Sequence, residues 1–373
     1  MERKRDSETK RRRKKMTAHA LYPSFSNGQN PWYHNANPIW LGSTLSIHRN
    51  LEKFHFPSKL PVEKRKQIIS LFDRDVLASQ SLKKPQVYKA EDLAPIEKEF
   101  LVEHFLSQKS FQQALAGEAF LLDESKEFLG VFNIKDHLYL HLVDSRGELE
   151  NAWSRLAKIE SELSKSVSFA FSPKFGFLSS DSGECGTGLH VTAFLHIPMI
   201  LHANRLQDIL KKNKEDNIEY SGLHGDPHDI IGDIVAFHNN YTLGVTEENI
   251  LRSIYGLATK LVIEESSLRS HFKQANENEQ AEIKDKVSRA YGILLHSYQI
   301  EPIEALHALS WLKIGLEMGW LSDTTHEEIN QLFFSCRRAH LLCYYGQKMI
   351  PEEIPHKRSE FIHIVLKKLK LLI

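Results

Sequence analysis

The segment that most constrains the fold is a glycine-rich turn that leads into an alternating strand, residues 185–198 (CGTGLHVTAFLHIP). After the last glycine, aliphatic side chains alternate with polar or aromatic ones, and successive side chains of a strand point to opposite faces. One face holds Leu189, Val191, Ala193 and Leu195. The other face holds His190, Thr192, Phe194 and His196. The pattern therefore predicts a strand that buries its aliphatic face.

A second segment, residues 133–142 (NIKDHLYLHL), has the same character. Its apolar face holds Leu138, Leu140 and Leu142. Its opposite face holds His137, Tyr139 and His141. This alternation predicts a second strand with one apolar face and one polar or aromatic face.

Helices and strands alternate over the first two thirds of the chain. The spacing of apolar residues predicts helices that begin near Pro61 and Pro95. The further predicted elements are strands over 119–122, 128–133 and 137–143, a helix over 148–164, strands over 166–172 and 188–196, a helix over 204–212 and a strand over 233–238.

After residue 247 the pattern is helical to the end of the chain. Pro302 occupies a first-turn position, and Thr324 to Glu327 match a capping box that opens the next helix. Residues 361–373 combine leucine and lysine as in an amphipathic helix. Because 373 residues exceed a typical domain, we expect two domains. The predicted division is a tail over 1–36, a mixed α/β part over 37–270 and an all-helical part over 271–373.

Composition excludes several classes of protein. No apolar run approaches the roughly 18 residues that span a membrane, so no membrane association is expected. The three cysteines, Cys185, Cys336 and Cys343, are too few for a disulfide framework and indicate a reducing cytoplasm. Cys336 and Cys343 lie two helical turns apart, which predicts that they share one packed helix face.

Charge is distributed unevenly along the chain. Residues 1–15 carry nine Lys and Arg against three acidic residues, although the whole chain has no net charge. We interpret this run, which Met16 follows as an alternative start, as a solubilising tail. An alternative hypothesis is binding to nucleic acid or an anionic surface. No aromatic side chain interleaves with the basic ones as a platform for base stacking, which disfavours nucleic acid.

Three further segments have recognisable sequence patterns. They are residues 42–50 (GSTLSIHRN), 239–244 (NNYTLG) and 283–294 (IKDKVSRAYGIL). Together, and in this order, they resemble the guanidino (phosphagen) kinase superfamily, and within it the bacterial protein arginine kinases of the McsB type. The resemblance implies an α+β fold, with an antiparallel sheet flanked by helices and a helical C-terminal domain of the dimerisation type. It also implies Mg-ATP as cofactor and transfer of phosphate to arginine.

The framework of the family motifs is present in this chain. The matching residues are Arg49, Asn133, Asp136, His137, Gly186, Thr187, Gly188, Asn239, Thr242 and Gly244. The family's phosphate-binding arginines, in contrast, align with Thr44, Ser46, Tyr139, His190 and Ser221, the last preceding Gly222, Gly225 and Asp226. The carboxylate pair that orients the guanidinium aligns with Ile134 and Lys135, and the reactive cysteine aligns with Asp181.

These replacements remove the groups that the chemistry requires. Arginines and Mg²⁺ hold the triphosphate, and each charge-assisted bond to phosphate contributes about 1.5–3 kcal/mol. Carboxylates must orient the guanidinium and help to remove its proton, although its pKa exceeds about 12. Lys135 would instead repel that guanidinium, at a cost of about 1–4 kcal/mol depending on the dielectric. The losses predict neither ordinary ATP affinity nor catalysis.

Three hypotheses follow from the sequence. The leading one is a pseudokinase that acts as a dimeric scaffold or regulator; the resemblance suggests a zinc-finger activator protein and the Clp protease machinery as partners. The alternative is an active ATP:guanido phosphotransferase with a rebuilt site that uses Lys135, Asp136, His137 and His190, with carboxylates from Asp181, Glu184, Asp226 or Asp229. The third is binding through the basic tail. The cluster of His224, Asp226, His228 and Asp229 matches no specific metal spacing, so no metal site is predicted.

Overall fold

A computed structural model describes residues 30–32, 37–107, 111, 113–213, 217–345 and 349–373. The basic run, and the binding hypothesis that rests on it, lie outside these residues. Trp32 falls within the predicted tail, yet its side chain is buried. Its ring lies 5.0–5.9 Å from those of Phe194, Phe333 and Phe334. Trp32, which precedes residue 37, therefore packs against the folded part of the chain.

Eight strands form one antiparallel sheet. They are β1 (Trp40–Arg49), β2 (Gln86–Lys89), β3 (Ala119–Leu122), β4 (Phe128–Phe132), β5 (Leu138–Asp144), β8 (Leu189–His196), β9 (Ile218–Ser221) and β10 (Ile234–Asn239). Two short pairs, β6 (Phe171–Ser172) with β7 (Gly176–Phe177) and β11 (Leu321–Ser322) with β12 (Lys370–Leu371), lie outside it. The order across the sheet is β2-β3-β4-β5-β1-β8-β10-β9.

The helices flank the sheet and then form the C-terminal part. They are α1 (Val62–Ala78), α2 (Pro95–His104), α3 (Leu149–Leu163), α4 (Pro198–His202), α5 (Leu206–Lys212), α6 (Glu247–Gln274), α7 (Glu277–His296), α8 (Pro302–Glu317), α9 (His326–Ser335), α10 (Arg338–Tyr344) and α11 (Ile354–Val365). Within the described part of the chain, none of them is long and apolar enough to cross a lipid bilayer.

The two alternating segments form β5 and β8, and β1 lies between them. Their predicted aliphatic faces are buried in one core, which α1, α3 and α6 cover. Leu140 and Val191, for example, are both fully buried. This arrangement confirms the predicted α+β fold, in which an antiparallel sheet is flanked by helices and followed by a helical C-terminal part.

The second face of the sheet is covered unevenly. The C-terminal helices pack over β8 and β10 around Phe194 and Ala236. Helices α2 and α10 pack over β3, β4 and β5 around Phe120, Val131 and Tyr139. The sheet surface between these two clusters carries the polar side chains of the alternating strands, and it is here that the candidate site lies.

The strands of the α/β part differ from the prediction in two respects. Over 166–172 only Phe171–Ser172 is a strand, because the preceding chain bonds to the end of β1 through Phe169 and Ala170 and then leaves the sheet. The edge strands Gln86–Lys89 and Ile218–Ser221 were not predicted, because each is only four residues long and offers too few positions for an alternating pattern to stand out.

Three local predictions in the C-terminal part were wrong. Cys336 ends α9 whereas Cys343 lies in α10, because the chain turns between them. The capping box uses Thr325 and Glu328, one residue later than predicted. The predicted helix over 361–373 ends at Val365, after which Lys370–Leu371 pairs with Leu321–Ser322.

Candidate functional site

A cavity of about 250 Å³ opens on the second face of the sheet, across β5, β1, β8 and β10. Its described lining residues are Thr44, Ser46, Leu106, Tyr139, His141, Glu184, His190, Thr192, Phe194, His238, Asn239 and Asn240. Strand register explains the grouping, since Ser46 lies opposite both His141 and His190. Directly paired residues of neighbouring strands share one face, so these side chains converge.

The structure brings together four of the positions that align with phosphate-binding arginines. Thr44, Ser46, Tyr139 and His190 all line the cavity. Ser221 does not line it and lies on the edge strand β9. The loop that follows, with Gly222, Gly225 and Asp226, closes on itself, because Gly222 N donates to Asp226 O (2.7 Å) and Gly225 N donates to Gly222 O (3.0 Å).

The polar groups that face this cavity are largely neutral. Among its described lining residues there is no lysine and no arginine. His141 Nε2–H donates to Phe105 O (2.8 Å), so His141 Nδ1 accepts from the hydroxyl of Tyr139 (2.8 Å). Burial raises the pKa of Tyr139 to about 12, which keeps the phenol uncharged at neutral pH. A phenol therefore occupies the position at which the sequence resemblance leads us to expect a guanidinium.

Lys135 lies outside the cavity in the turn between β4 and β5, and two carboxylates bind it. Its Nζ is 3.2 Å from Asp181 Oδ2 and 3.3 Å from Glu184 Oε1. Partial burial would lower the pKa of Lys135, but Glu184 and Asp181 together raise it. Lys135 and Asp181, which the sequence resemblance aligns with a carboxylate and a cysteine of the family, thus form an ion pair with each other. The neighbouring Ile134 is half-buried against the core beneath α2.

Asp136 is buried, and its carboxylate accepts several hydrogen bonds. Its carboxylate accepts from Asn50 Nδ2 (2.6 Å), Ser180 N (2.7 Å) and Ser179 Oγ (3.1 Å), and it lies 3.0 Å from His48 Nδ1. Burial opposes ionisation, but the bonds from His48, Asn50 and Ser180 hold the pKa of Asp136 well below its usual range. It is a charged anchor for the turn and the adjoining loop rather than a proton carrier.

His137 is also committed to the backbone. Its Nδ1 accepts from Leu51 N (2.9 Å), and its Nε2–H donates to His55 O (2.9 Å). Burial lowers the pKa of His137, which favours this neutral form. Because both ring nitrogens are occupied within the fold, His137 does not face the cavity as a base. Asp136 and His137, two of the residues that the active-enzyme hypothesis uses, therefore have structural roles.

The other matching framework residues connect the glycine-rich turn to its neighbours. Thr187 N donates to Thr242 O (3.1 Å), and Thr242 Oγ1 donates to Cys185 O (2.7 Å). Asn239 accepts from Val191 N (2.8 Å) and donates to Leu189 O (3.0 Å). The glycines Gly186, Gly188 and Gly244 all have positive φ. These contacts close the turn onto the end of β10.

Arg49 and Asn133 complete the framework without reaching the cavity. Arg49 donates to His48 O (2.8 Å) and Thr187 O (3.0 Å), pairs with Glu160 and stacks 3.6 Å above the ring of Phe177. Asn133 has φ 62° and donates to Arg65 O and Gly117 O. The matching residues shape the fold, whereas several of the replaced ones face the cavity.

One group of side chains was not predicted. His48 Nε2 lies 3.7 Å from Glu184 Oε2, and its ring is 5.8 Å from that of His190. One nitrogen or oxygen atom from each of the three lies within 4.8 Å of the others. The alternation of β1 places His48 on the same face as Ser46. This alternation is the feature of the sequence that could have indicated that His48 belongs to the group. The predicted His/Asp cluster around His224 forms no comparable group among the described residues.

Comparisons with known proteins bear directly on this arrangement. Residues 67–268 match the family model of the ATP:guanido phosphotransferase C-terminal catalytic domain, and residues 280–371 match that of the protein-arginine kinase McsB C-terminal domain. The chain is 34% identical over 309 residues to a protein-arginine kinase of Chlamydia pneumoniae, covering 82% of this chain and 84% of the relative. It is 29% identical over 324 residues to one of Halothermothrix orenii, covering 87% and 92%.

Solved structures support the same fold. The substrate-free duplicated taurocyamine kinase from Schistosoma mansoni superposes with a TM-score of 0.55 at 22% identity, over 73% of this chain and 40% of that duplicated chain. Lombricine kinase superposes with a TM-score of 0.54 at 16% identity, over 71% and 80%. These two similarities concern the fold alone. From the family matches and the kinase relatives together, the chain belongs to the protein-arginine kinase family of ATP:guanido phosphotransferases.

Proposed function

We propose that this chain is a pseudokinase of the protein-arginine kinase family, which has lost phosphoryl transfer and acts as a dimeric scaffold or regulator. The observation that carries the proposal is the cavity: four positions that align with phosphate-binding arginines meet there as Thr44, Ser46, Tyr139 and His190. Arginine is suited to phosphate because its planar fork donates two hydrogen bonds at once and never loses its charge. None of the four side chains present has both properties.

The charge beside the cavity also opposes a triphosphate. Lys135, whose partner Glu184 lines the cavity, is held by Asp181 and Glu184. With Asp136, three carboxylates stand against one lysine, a net charge of −2 when the histidines are neutral. Like charges at close range repel strongly in a partly buried site, so this network disfavours a nucleotide anion.

The carboxylates beside the cavity are already paired, because Glu184, which lines it, and its neighbour Asp181 both bind Lys135, so neither is a ready base for the substrate guanidinium. Ile134 offers no titratable group, and Lys135 has the wrong charge to hold a guanidinium. Asp136 and His137 are occupied by hydrogen bonds within the fold. General base catalysis needs a group that reaches the proton and has a suitable pKa. The proposal therefore assigns the retained fold to binding rather than to chemistry.

The binding role of this proposal follows from the family resemblance. The helical C-terminal part would form the homodimer, and a zinc-finger activator protein and the Clp protease machinery are the partner classes to examine first. Function resides in sites rather than in folds, so a family fold with a replaced site is compatible with a scaffold.

Nucleotide binding gives the test of this proposal. We expect millimolar Mg-ATP to leave the thermal unfolding midpoint of the purified chain unchanged. A ligand present at 100 times its Kd adds about 2.7 kcal/mol of stability and shifts the midpoint by some degrees. The Chlamydia pneumoniae relative, measured in parallel, serves as the control for a shift. An equal shift in both proteins would contradict the proposal and favour a rebuilt nucleotide site.

A further inference from the structure

We propose that His48, Glu184 and His190 form a binding site for one divalent transition metal ion, with Zn²⁺ as the best fit. The three side chains meet at the edge of the cavity, where one possible ligand atom from each lies within 4.8 Å of the others. Two imidazoles and one carboxylate are a ligand set that Zn²⁺ takes in proteins, together with a fourth position left open. The inference concerns metal binding alone and is independent of whether phosphoryl transfer is retained.

The spacing of the ligand atoms is close to what the ion requires. Bonds of about 2.0–2.1 Å in a tetrahedral site place neighbouring ligand atoms about 3.3 Å apart. His48 Nε2 and Glu184 Oε2 are 3.7 Å apart, so this pair needs to close by only a few tenths of an ångström. A ligand atom of His190 lies within 4.8 Å of the other two, so it would have to move closer by up to about 1.5 Å to reach the tetrahedral spacing.

A supporting shell orients the buried ligand. His48 Nδ1 lies 3.0 Å from Asp136 Oδ2, and Asp136 is itself held by Asn50 and Ser180. An N–H at Nδ1 directed at this carboxylate makes Nε2 the nitrogen that presents a lone pair, and Nε2 is the atom that points to Glu184. A carboxylate behind the ligating histidine is the arrangement found around protein zinc ions, where it fixes the tautomer and raises ligand basicity.

The second ligand is oriented in a similar way. Lys135 Nζ contacts Glu184 Oε1 at 3.3 Å, which turns the other oxygen, Oε2, toward His48. Glu184 lies on the short turn Ser182–Glu184, whose N-terminal Asp181 caps it by accepting from Gly183 N. The capped turn therefore fixes the backbone of Glu184, and Lys135 fixes its Oε1 atom.

Charge and access both favour a cation. The network of Asp136, Asp181, Glu184 and Lys135 carries a net charge of −2, and the adjacent Arg49 is balanced by Glu160. Imidazole ligands select zinc and its transition-metal neighbours over Mg²⁺ and Ca²⁺, which prefer oxygen. Glu184 and His190 both line the cavity, so the ion has an entry path and the open fourth position faces a space of about 250 Å³.

The test is a metal titration of the full, untagged chain after dialysis against a chelator. We expect one Zn²⁺ per chain by calorimetry, and Co²⁺ in its place should give the visible absorption of a tetrahedral site. Glu184→Gln and His190→Gln should each weaken Zn²⁺ binding by about tenfold or more. His228→Gln, in the exposed His/Asp cluster, is the matched control and should leave the affinity within about twofold.

Two results would overturn the site. One is a parent chain that binds Zn²⁺ no more tightly than the double variant Glu184→Gln/His190→Gln. The other is an affinity that falls with His228→Gln and not with the two cavity variants. Circular dichroism checks that each variant is folded; should His190→Gln misfold, Glu184→Gln on its partly exposed turn decides alone, since its side chain is 19% exposed.

Discussion

Replacement of Asp136 by alanine is expected to lower the free energy of unfolding by about 3–5 kcal/mol, the range for a buried charge network that loses one partner. The carboxylate is 2% exposed and accepts from Asn50, Ser179 and Ser180 while facing His48. Without it, these donors remain buried with no acceptor in its place. The midpoint and slope of urea denaturation of the full chain measure the change.

The matched control is Asp181→Ala, a carboxylate of the same network at the surface. Its side chain is 52% exposed and pairs with Lys135 in solvent. Exposed ion pairs contribute little, so we expect a loss of no more than about 1 kcal/mol. Equal losses for the two variants would show that Asp136 is not the buried anchor described above.

Gly186→Ala is expected to cost about 3 kcal/mol or more, because backbone strain and overlap act at the same residue. Gly186 has φ +109°, a conformation that residues with a Cβ rarely adopt. A Cβ there would lie 2.2 Å from Thr242 O and 2.7 Å from Leu243 Cα. Both are backbone atoms, so the turn and the end of β10 would have to separate. Thermal or urea unfolding reports the loss.

At a glycine in ordinary helical conformation, replacement by alanine is expected to change stability in the opposite direction. Gly256 lies in α6, and a Cβ there would meet nothing within 4 Å. Gly256→Ala should therefore stabilise the chain by about 0.5–1 kcal/mol, the difference in helix propensity. If Gly186→Ala were as stable as the parent, the close approach of residues 186 and 242 would be wrong.

Much of the sheet could be predicted because its signal is local. The alternation in β5 and β8 separates aliphatic from polar side chains residue by residue, and a half-buried strand requires that separation. The edge strands Gln86–Lys89 and Ile218–Ser221 were not predicted because a strand of four residues is too short for its alternation to stand out. The predicted strand over 166–172 is shorter in the structure because the preceding chain bonds to residues 50–52, and no local sequence pattern indicates these bonds.

The candidate site was predicted less completely, for a different reason. Alternation assigns a side chain to a face but not to a partner on a neighbouring strand. The sequence indicates only that His48 belongs to a family-like segment, yet its strand places it beside Glu184 and His190. Lys135 was expected to repel a guanidinium, and its two carboxylate partners are 46 and 49 residues away in the chain. Such pairings arise from the register and the loops of the folded chain.

The measurement that tests the central claim most directly is phosphoryl transfer itself. The purified chain is incubated with Mg-ATP and an arginine-containing protein substrate, and phosphoarginine is followed by phosphorus NMR, with the Chlamydia pneumoniae kinase as control. Loss of at least three charge-assisted phosphate contacts, at about 1.5 kcal/mol or more each, predicts a rate at least about 10³-fold below that control. A comparable rate that disappears in the Lys135→Ala and His190→Ala variants would contradict the pseudokinase account and establish a rebuilt active site.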